Sequence, residues 1–328
     1  MRAFFVSFPN LQYFCTWYLL LIFITMRHIE TFLITLFFGL ATCWAQESAY
    51  YTHAVSLLQQ GKADSLKVHI EAWEHTEPNN AEIYALWLNY YYTTASKEIV
   101  NFQEEEPLEA SLAIVDSTGN TVGYMVSSVV YDKETLQKGY DKIDEGIALY
   151  PNRLDFYFGK IRVIITCSKN YPACISEFEK VFARQKVNKG KWDWTFNQPL
   201  ENGSDSLIIN NTQSYITAML DAGENTYATQ LINMGLQAYP NNVYFLADKA
   251  AILYHSNDLK GALNAYLKIL KIAPNDYLVA YNIAYLYENM GYLKKACKYY
   301  KLATKATQPE IVQSANQALD DIQKALSR

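Results

Sequence analysis

The chain has 328 residues, a formal net charge of −5 at pH 7, and 50% hydrophobic against 19% charged residues. Its charged residues are scattered between apolar ones, which is typical of a chain that folds in water. The weak acidity and the lack of a basic block argue against a nucleic-acid partner, because phosphate recognition requires clustered Lys and Arg.

The first 45 residues have the pattern of a secretory signal. Met26-Arg27-His28 is a basic start, 32–41 is an apolar stretch, and small residues precede a cut between Ala45 and Gln46. We therefore predict a signal peptide at 26–45 and interpret 1–25 as an extension upstream of a true start at Met26. A second interpretation makes 40–43 a lipobox-like motif with lipid on Cys43, which alone would attach the protein to a membrane.

The tripeptide Pro-Asn-x occurs four times, and its spacing indicates an internal repeat. The copies begin at Pro78, Pro151, Pro240 and Pro274, so that the last two lie 34 residues apart. Proline cannot continue a helix and disfavours the helical conformation of the residue before it, so each copy predicts the end of a helical segment. A period of about 34 residues is that of a helix–turn–helix repeat.

Small residues recur at fixed places within this period. With the proline numbered as repeat position 32, Ala228, Ala262 and Ala296 all fall at position 20, while glycines recur at positions 15 and 27. Small side chains are expected where the two helices of a hairpin approach closely. This pattern resembles the tetratricopeptide repeat (TPR) family, in its exported bacterial type, from about residue 47 to the end of the chain.

The resemblance implies an all-α fold, a right-handed α-solenoid of about six TPR helix hairpins. Units one to three are expected at 46–185 and units four to six at 209–310. The segment 311–328 has apolar residues on one helical face and is expected to be a C-terminal capping helix. Two segments interrupt the repeats, namely an insertion at 96–131 and a tryptophan-containing insert at 186–208.

The insertion at 96–131 contains a predicted β-hairpin. Two runs rich in apolar and β-branched residues, 111–116 and 121–126, lie on either side of Gly119-Asn120, a favourable turn. A lone hairpin is only marginally stable in water, so it must lie against the helical array, dimerise or bind something. It either packs on its own repeat or offers an exposed edge that accepts a partner strand.

The second insert carries Trp192 and Trp194, and three cysteines fall between residues 46 and 328. The tryptophans either seal apolar surface where the array is interrupted or form a ligand contact for peptide or sugar. An odd number of cysteines argues against a disulfide framework. A local bridge between Cys167 and Cys174 remains an alternative to buried free thiols, which we favour.

The resemblance implies that the first helix of each hairpin lines a concave groove through repeat positions 2, 5, 9 and 12. Most residues at these positions are aromatic or polar, and of the basic clamp that some TPR domains use for carboxylates, only Asn89 matches. The predicted partner-binding residues are Tyr51, Asn89, Tyr92, Phe158, Arg162, Gln213, Tyr244, Tyr254, Tyr281 and Tyr285. In the alternative interpretation, the groove is filled by its own side chains or merely solvated.

The sequence contains no recognisable catalytic pattern. The four histidines after residue 46 are scattered, and no HExxH, GxSxG or P-loop pattern occurs. We therefore expect no enzyme, no cofactor and no metal. The leading hypothesis is a protein–protein interaction scaffold of the bacterial envelope, either periplasmic or associated with the outer membrane. The alternatives are a carbohydrate- or ligand-capturing accessory protein and a lipoprotein assembly factor at the outer membrane.

Overall fold

The computed structural model describes residues 49–107, 111–201 and 203–326. The signal peptide at 26–45, Cys43 and the extension at 1–25 therefore lie outside the described residues. The chain divides into two compact units, one up to Ile143 and the other from Asp144 onward. None of the described helices is both long and apolar enough to cross a membrane.

The first unit consists of helices interrupted by a sheet. Its helices are α1 (Ala49–Gln59), α2 (Ala63–Thr76), α3 (Ala81–Ala95) and the first part of α4 (Lys133–Leu149), which continues past the division between the units. A Cβ on Gly139 of α4 would lie 3.0 Å from the Cβ of Tyr91, so α4 packs closely on α3 despite the long interruption between them. The buried apolar side chains of α1 and α2 are Tyr51, Ala54, Leu57, Leu66, Ile70 and Trp73.

The interruption between α3 and α4 is a three-stranded antiparallel sheet. Strands β1 (Ser96–Gln103), β2 (Leu112–Val115) and β3 (Thr121–Tyr131) pair in the order β1-β3-β2. The β2–β3 hairpin confirms the prediction, and Asp116 stabilises its turn by accepting hydrogen bonds from the backbone N–H groups of Thr118 and Asn120. Strand β1 was not predicted, because its two adjacent charges, Lys97 and Glu98, interrupt the alternating pattern of a strand.

The second unit is a run of helices joined by short turns. After the end of α4 come α5 (Leu154–Ser168) and α6 (Tyr171–Asn188), then a small loop with β4 (Asp193–Trp194) and β5 (Gln198–Pro199). The remaining helices are α7 (Ser204–Asp221), α8 (Asn225–Ala238), α9 (Val243–His255), α10 (Leu259–Ile272), α11 (Tyr277–Asn289), α12 (Leu293–Ala303) and α13 (Pro309–Leu326). Helix α7 begins inside the predicted insert at 186–208, because Asp205 in its first turn suits the positive end of a helix.

The Pro-Asn-x copies show a common capping mechanism. The third residue is the N-cap of the following helix, where Asn80, Asn242 and Asp276 each accept a hydrogen bond from a backbone N–H of the first turn. The copy that begins at Pro151 differs, because its third residue is Arg153, whose side chain makes no capping hydrogen bond. The motif therefore separates two helices in all four occurrences and supplies a side-chain cap in three of them.

The turns within hairpins explain the glycines at repeat position 15. Gly61, Gly223 and Gly291 have φ values between 66° and 78°, and Asn257 takes φ 64° at the same position. Glycine and asparagine enter this left-handed region at the lowest steric cost. A single left-handed residue thus reverses the chain direction between the two helices of each of these hairpins.

The predicted close approaches between helices are also present. The position-20 residues Ala228, Ala262 and Ala296 have no exposed surface. A Cβ on Gly235, at position 27, would lie 2.8 Å from the ring of Phe245, which is too short for any real contact. Small residues at these positions therefore let neighbouring helices pack closely.

The three described cysteines are free thiols, and the alternative bridge between Cys167 and Cys174 is wrong. Cys174 is fully buried, whereas Cys167 and Cys297 are partly exposed. Burial raises the pKa of the Cys167 and Cys174 thiols to about 12, so neither is a reactive thiolate at neutral pH.

Candidate functional site

Four tyrosines converge on the C-terminal hairpins of the second unit. We define the tyrosine cluster as Tyr254 of α9, Tyr281 and Tyr285 of α11, and Tyr300 of α12. The ring centroids of Tyr254 and Tyr285 are 6.2 Å apart, and those of Tyr281 and Tyr300 are 5.4 Å apart in an edge-to-face arrangement. The Tyr300 hydroxyl donates to Oε2 of Glu288 at 2.6 Å. Three of the predicted groove residues are thus brought together.

The cluster is aromatic, neutral and rich in hydrogen-bonding groups. Burial raises the pKa of Tyr254 to about 12 and also raises that of Tyr281. Burial, reinforced by the hydrogen bond to Glu288, raises the pKa of Tyr300 further. Each of these phenols therefore keeps its proton at neutral pH, and Tyr300, which is only 1% exposed, uses its hydroxyl within the fold. The Tyr281 hydroxyl also hydrogen-bonds to Ser314 of α13, which ties the last helix to this face.

A polar pair lies on the neighbouring helices α7 and α9. Nε2 of Gln213 donates to Oδ2 of Asp248 at 2.7 Å, and within the described chain Oε1 of Gln213 is buried without a hydrogen-bond partner. Burial disfavours the charged carboxylate and raises the pKa of Asp248 to about 6, while the Gln213 hydrogen bond opposes this only in part. A protonated Asp248 would become a donor, which a rotated Gln213 amide oxygen can accept.

We expect Asp248→Asn to stabilise the protein at neutral pH. The folded-state pKa is above the ordinary value of 3.8, so the folded protein binds the proton more tightly than the unfolded chain. The stability contributed by this group is complete below pH ~4 and is lost as the pH rises through about 6. At pH 7 the variant should be more stable by on the order of 2 kcal/mol, measured by urea unfolding followed by circular dichroism.

The pH series separates this effect from a general change in stability. The difference between Asp248→Asn and the parent protein should shrink towards zero as the pH falls from 7 to 4. The matched control is Asp321→Asn on the exposed face of α13, where we expect a change within about 0.5 kcal/mol at every pH. A difference that stays constant with pH would contradict a titrating Asp248.

Several predicted groove residues lie elsewhere. Tyr51 and Phe158 are buried, with Phe158 packed against Phe178 at 6.4 Å between ring centroids, so both were wrongly predicted as partner contacts. Both residues occupy repeat position 5, and a residue at this position faces a groove only where neighbouring side chains leave it uncovered. Tyr92 stacks on Tyr131 of β3 at 5.8 Å, because the inserted sheet begins one turn later.

The other groove candidates differ in how they are held. Nδ2 of Asn89 donates to the carbonyl of Ala85 within its own helix at 2.8 Å. Arg162 is half-buried, and its charge opposes the upward pKa shift that burial imposes on Tyr215. Tyr244, by contrast, is 47% exposed, more than any other predicted groove residue.

The prediction that Trp192 contacts a ligand is wrong, because its side chain is only 1% exposed. Its ring meets Tyr157 edge to face at 5.7 Å, and its Nε1 donates to Oε1 of Gln185. Trp194 is half-buried. The insert is therefore folded down on its own hairpin, which corresponds to the sealing interpretation of the sequence.

Arg153 anchors this insert, and sequence analysis did not identify it. Its guanidinium makes a bidentate pair with Asp155 at 2.9 and 2.8 Å, and both side chains are 1% exposed. The same guanidinium donates to Oδ1 of Asn197 at 3.1 Å and lies 4.4 Å above the ring of Phe156. The available signal was an arginine at the capping position of Pro151-Asn152-Arg153, where the other copies carry Asn or Asp.

Within the described ranges, no group of three or more His, Cys, Asp or Glu side chains could hold a metal ion. The tyrosine cluster supplies neutral phenols, and the Gln213–Asp248 pair supplies an amide and a carboxyl group of raised pKa. Such a surface binds by aromatic contact and hydrogen bonding.

Comparison with known proteins gives one sequence match. No family model matches the chain. A TPR repeat-containing protein of Methanocaldococcus jannaschii is 25% identical over 170 residues. The match covers 50% of this chain but only 28% of the length of that relative.

Solved structures with some likeness are TPR proteins of low identity. YrrB, described as a TPR protein with an unusual peptide-binding site, is 15% identical with a TM-score of 0.35 over 56% of this chain and 84% of its own. PilW, a type IV pilus biogenesis factor, is 9% identical with a TM-score of 0.35 over 81% and 96%. PilF of Pseudomonas aeruginosa is 10% identical with a TM-score of 0.34 over 84% and 96%.

The class of protein follows from the repeat geometry together with the sequence match. The described residues form an array of α-helical hairpins with one small inserted β-sheet, and the chain is similar in sequence to a TPR repeat-containing protein.

Proposed function

We propose that this protein is a non-enzymatic interaction scaffold of the bacterial envelope that binds an extended peptide or protein segment. The observation that carries the proposal is the tyrosine cluster, together with the exposed ring of Tyr244 on α9. Tyrosines supply large contact area at low cost in side-chain entropy, and their hydroxyl groups pair with peptide N–H and C=O groups.

The envelope setting has separate support. The signal-like pattern at 26–45 favours export, with a periplasmic or outer-membrane location. Mass spectrometry of the N-terminus of the protein recovered from its own cells tests this part. A chain that begins at unmodified Gln46 supports export without lipid, and a chain that begins at a diacylated Cys43 supports an outer-membrane lipoprotein. A chain that still contains residues 26–45 overturns the proposed export in either form.

Peptide binding is tested by panning a random peptide display library against the protein and measuring the affinity of the enriched peptides. We expect Tyr244→Ala and Tyr285→Phe each to weaken binding by about tenfold, the usual effect of losing one interface tyrosine contact. Tyr285→Phe keeps the ring and removes only the hydroxyl, so its effect reports hydrogen bonding and not packing.

The matched control is Tyr292→Ala. Tyr292 is 51% exposed, close to the 47% of Tyr244, but lies in the turn between α11 and α12. An equal loss of peptide affinity in the control variant would contradict binding at the tyrosine cluster. An affinity that neither Tyr244→Ala nor Tyr285→Phe changes would contradict it as well.

A further inference from the structure

The inserted sheet of the first unit has an unusually exposed outer strand. All 8 residues of β1 are exposed, and Val100 and Phe102 are 58% and 53% exposed. On one side β1 pairs with β3, and on the other side it has no partner strand among the described residues. An unpaired edge presents a row of backbone N–H and C=O groups that can pair with another strand.

The two edges of the sheet differ in how well they are protected. Strand β2 is only 4 residues long, which by itself limits pairing with another chain. Strand β1 is twice as long, and its stretch 99–102, Ile-Val-Asn-Phe, contains no charge, proline or bulge. Edge strands of monomeric proteins usually carry such protection, so the open edge at β1 requires an explanation.

An apolar face continues up to this edge. The register places Phe102 opposite Met125, which in turn lies opposite Leu112, so that these three side chains share one face of the sheet. Val100 lies two residues before Phe102 and therefore joins the same face. Leu112 is 71% exposed, and with Val100 and Phe102 it forms an apolar patch on this face, which Ser127 opposite Val100 bounds on one side.

The charges at the two ends of β1 indicate what covers the edge. Lys97 lies near the beginning of the strand beside Glu98, whose carboxylate accepts a hydrogen bond from the Ser127 hydroxyl of β3, and Glu104, Glu105 and Glu106 follow immediately after its last residue, Gln103. If two β1 strands pair antiparallel, the end of each copy that carries Lys97, with no net charge, meets the acidic end of the other. A parallel pair would instead place the acidic ends side by side, which is repulsive.

We propose that β1 pairs antiparallel with β1 of a second copy of this chain, which joins two three-stranded sheets into one continuous sheet. The paired edge would be about 26 Å long at ~3.3 Å per residue. Pairing would satisfy the open backbone groups of β1 and extend the apolar patch across both copies. The first unit is thus a dimerisation module, in addition to the binding face proposed for the second.

Sedimentation equilibrium of the full chain, in the N-terminal form that expressing cells produce, tests the proposal. We expect a dimer whose dissociation constant rises at least about tenfold in Val100→Lys, since each substitution appears twice in the paired edge. The control is Val115→Lys on the opposite edge, where Val115 is 57% exposed, close to the 58% of Val100. Val115→Lys should leave the dimer unchanged, and circular dichroism should show both variants folded.

A charge-reversal series tests the strand direction. Lys97→Glu should weaken the dimer, and the additional changes Glu104→Lys and Glu105→Lys should restore it, because the two ends again carry opposite charges. A monomeric parent protein overturns the proposal, as does a dimer that responds equally to Val100→Lys and Val115→Lys. A dimer that Glu104→Lys and Glu105→Lys fail to restore overturns the antiparallel arrangement.

Discussion

Replacing Asp155 with leucine is expected to lower the free energy of unfolding by about 3–5 kcal/mol, the usual cost of leaving one member of a buried ion pair alone. Arg153 and Asp155 are each 1% exposed and are joined by two hydrogen bonds. Without the carboxylate, the guanidinium would remain buried and would lose both hydrogen bonds to its bidentate partner. The midpoint of urea unfolding, followed by tryptophan fluorescence, measures the loss.

Two further variants show that the effect comes from the unpaired charge. The double variant Arg153→Leu/Asp155→Leu should be more stable than Asp155→Leu alone, because removing both charges removes the desolvation penalty. Glu71→Gln breaks an exposed pair with Lys67, whose atoms are 3.8 Å apart, and should change stability by less than about 1 kcal/mol. A double variant no better than the single one would contradict this account.

The second large effect is expected for Trp192→Ala. Its side chain is 1% exposed, packs edge to face on Tyr157, and donates a hydrogen bond to Gln185. Truncating a buried tryptophan leaves a cavity and should lower the free energy of unfolding by about 3–5 kcal/mol. Urea unfolding at pH 7 measures this loss, with circular dichroism as the signal because the substitution removes one of the tryptophans that contribute to the fluorescence change.

The matched comparison is Trp194→Ala, two residues along the same loop. Trp194 is half-buried, so its truncation should cost clearly less than that of Trp192. Equal costs for the two tryptophans would contradict the assignment of Trp192 to the core. Asp155→Leu and Trp192→Ala should also be less than additive, since Arg153 forms a β-bridge with Asp193, the residue after Trp192.

The inserted sheet shows how far local sequence signals reach. The β2–β3 hairpin was predictable because Gly119-Asn120 and the flanking β-branched runs form a local signal. Strand β1 was not, because it is defined by pairing with β3 from Ser96↔Tyr131 to Gln103↔Tyr124. Such pairing joins residues more than 20 positions apart, and no local pattern in 96–103 indicates it.

The candidate site was predictable in part for a similar reason. Repeat positions selected Tyr254, Tyr281 and Tyr285, which lie close together in the fold because a regular helix presents those positions on the same side in successive hairpins. The same rule failed for Tyr51 and Phe158, which neighbouring side chains cover. The raised pKa of Asp248 was not predictable, because it depends on burial by residues from other helices.

The sequence by itself determined the hairpins, because their signals are local. Proline ends a helix, Asn or Asp caps the next one, and a left-handed Gly or Asn reverses the chain between them. Only the tertiary structure decided whether residues outside the repeat pattern, such as Arg153 and Trp192, are buried or exposed. Arg153 and Trp192 are polar and aromatic residues of a loop in sequence, but they are core residues in the fold, because burial is a property of what surrounds a side chain.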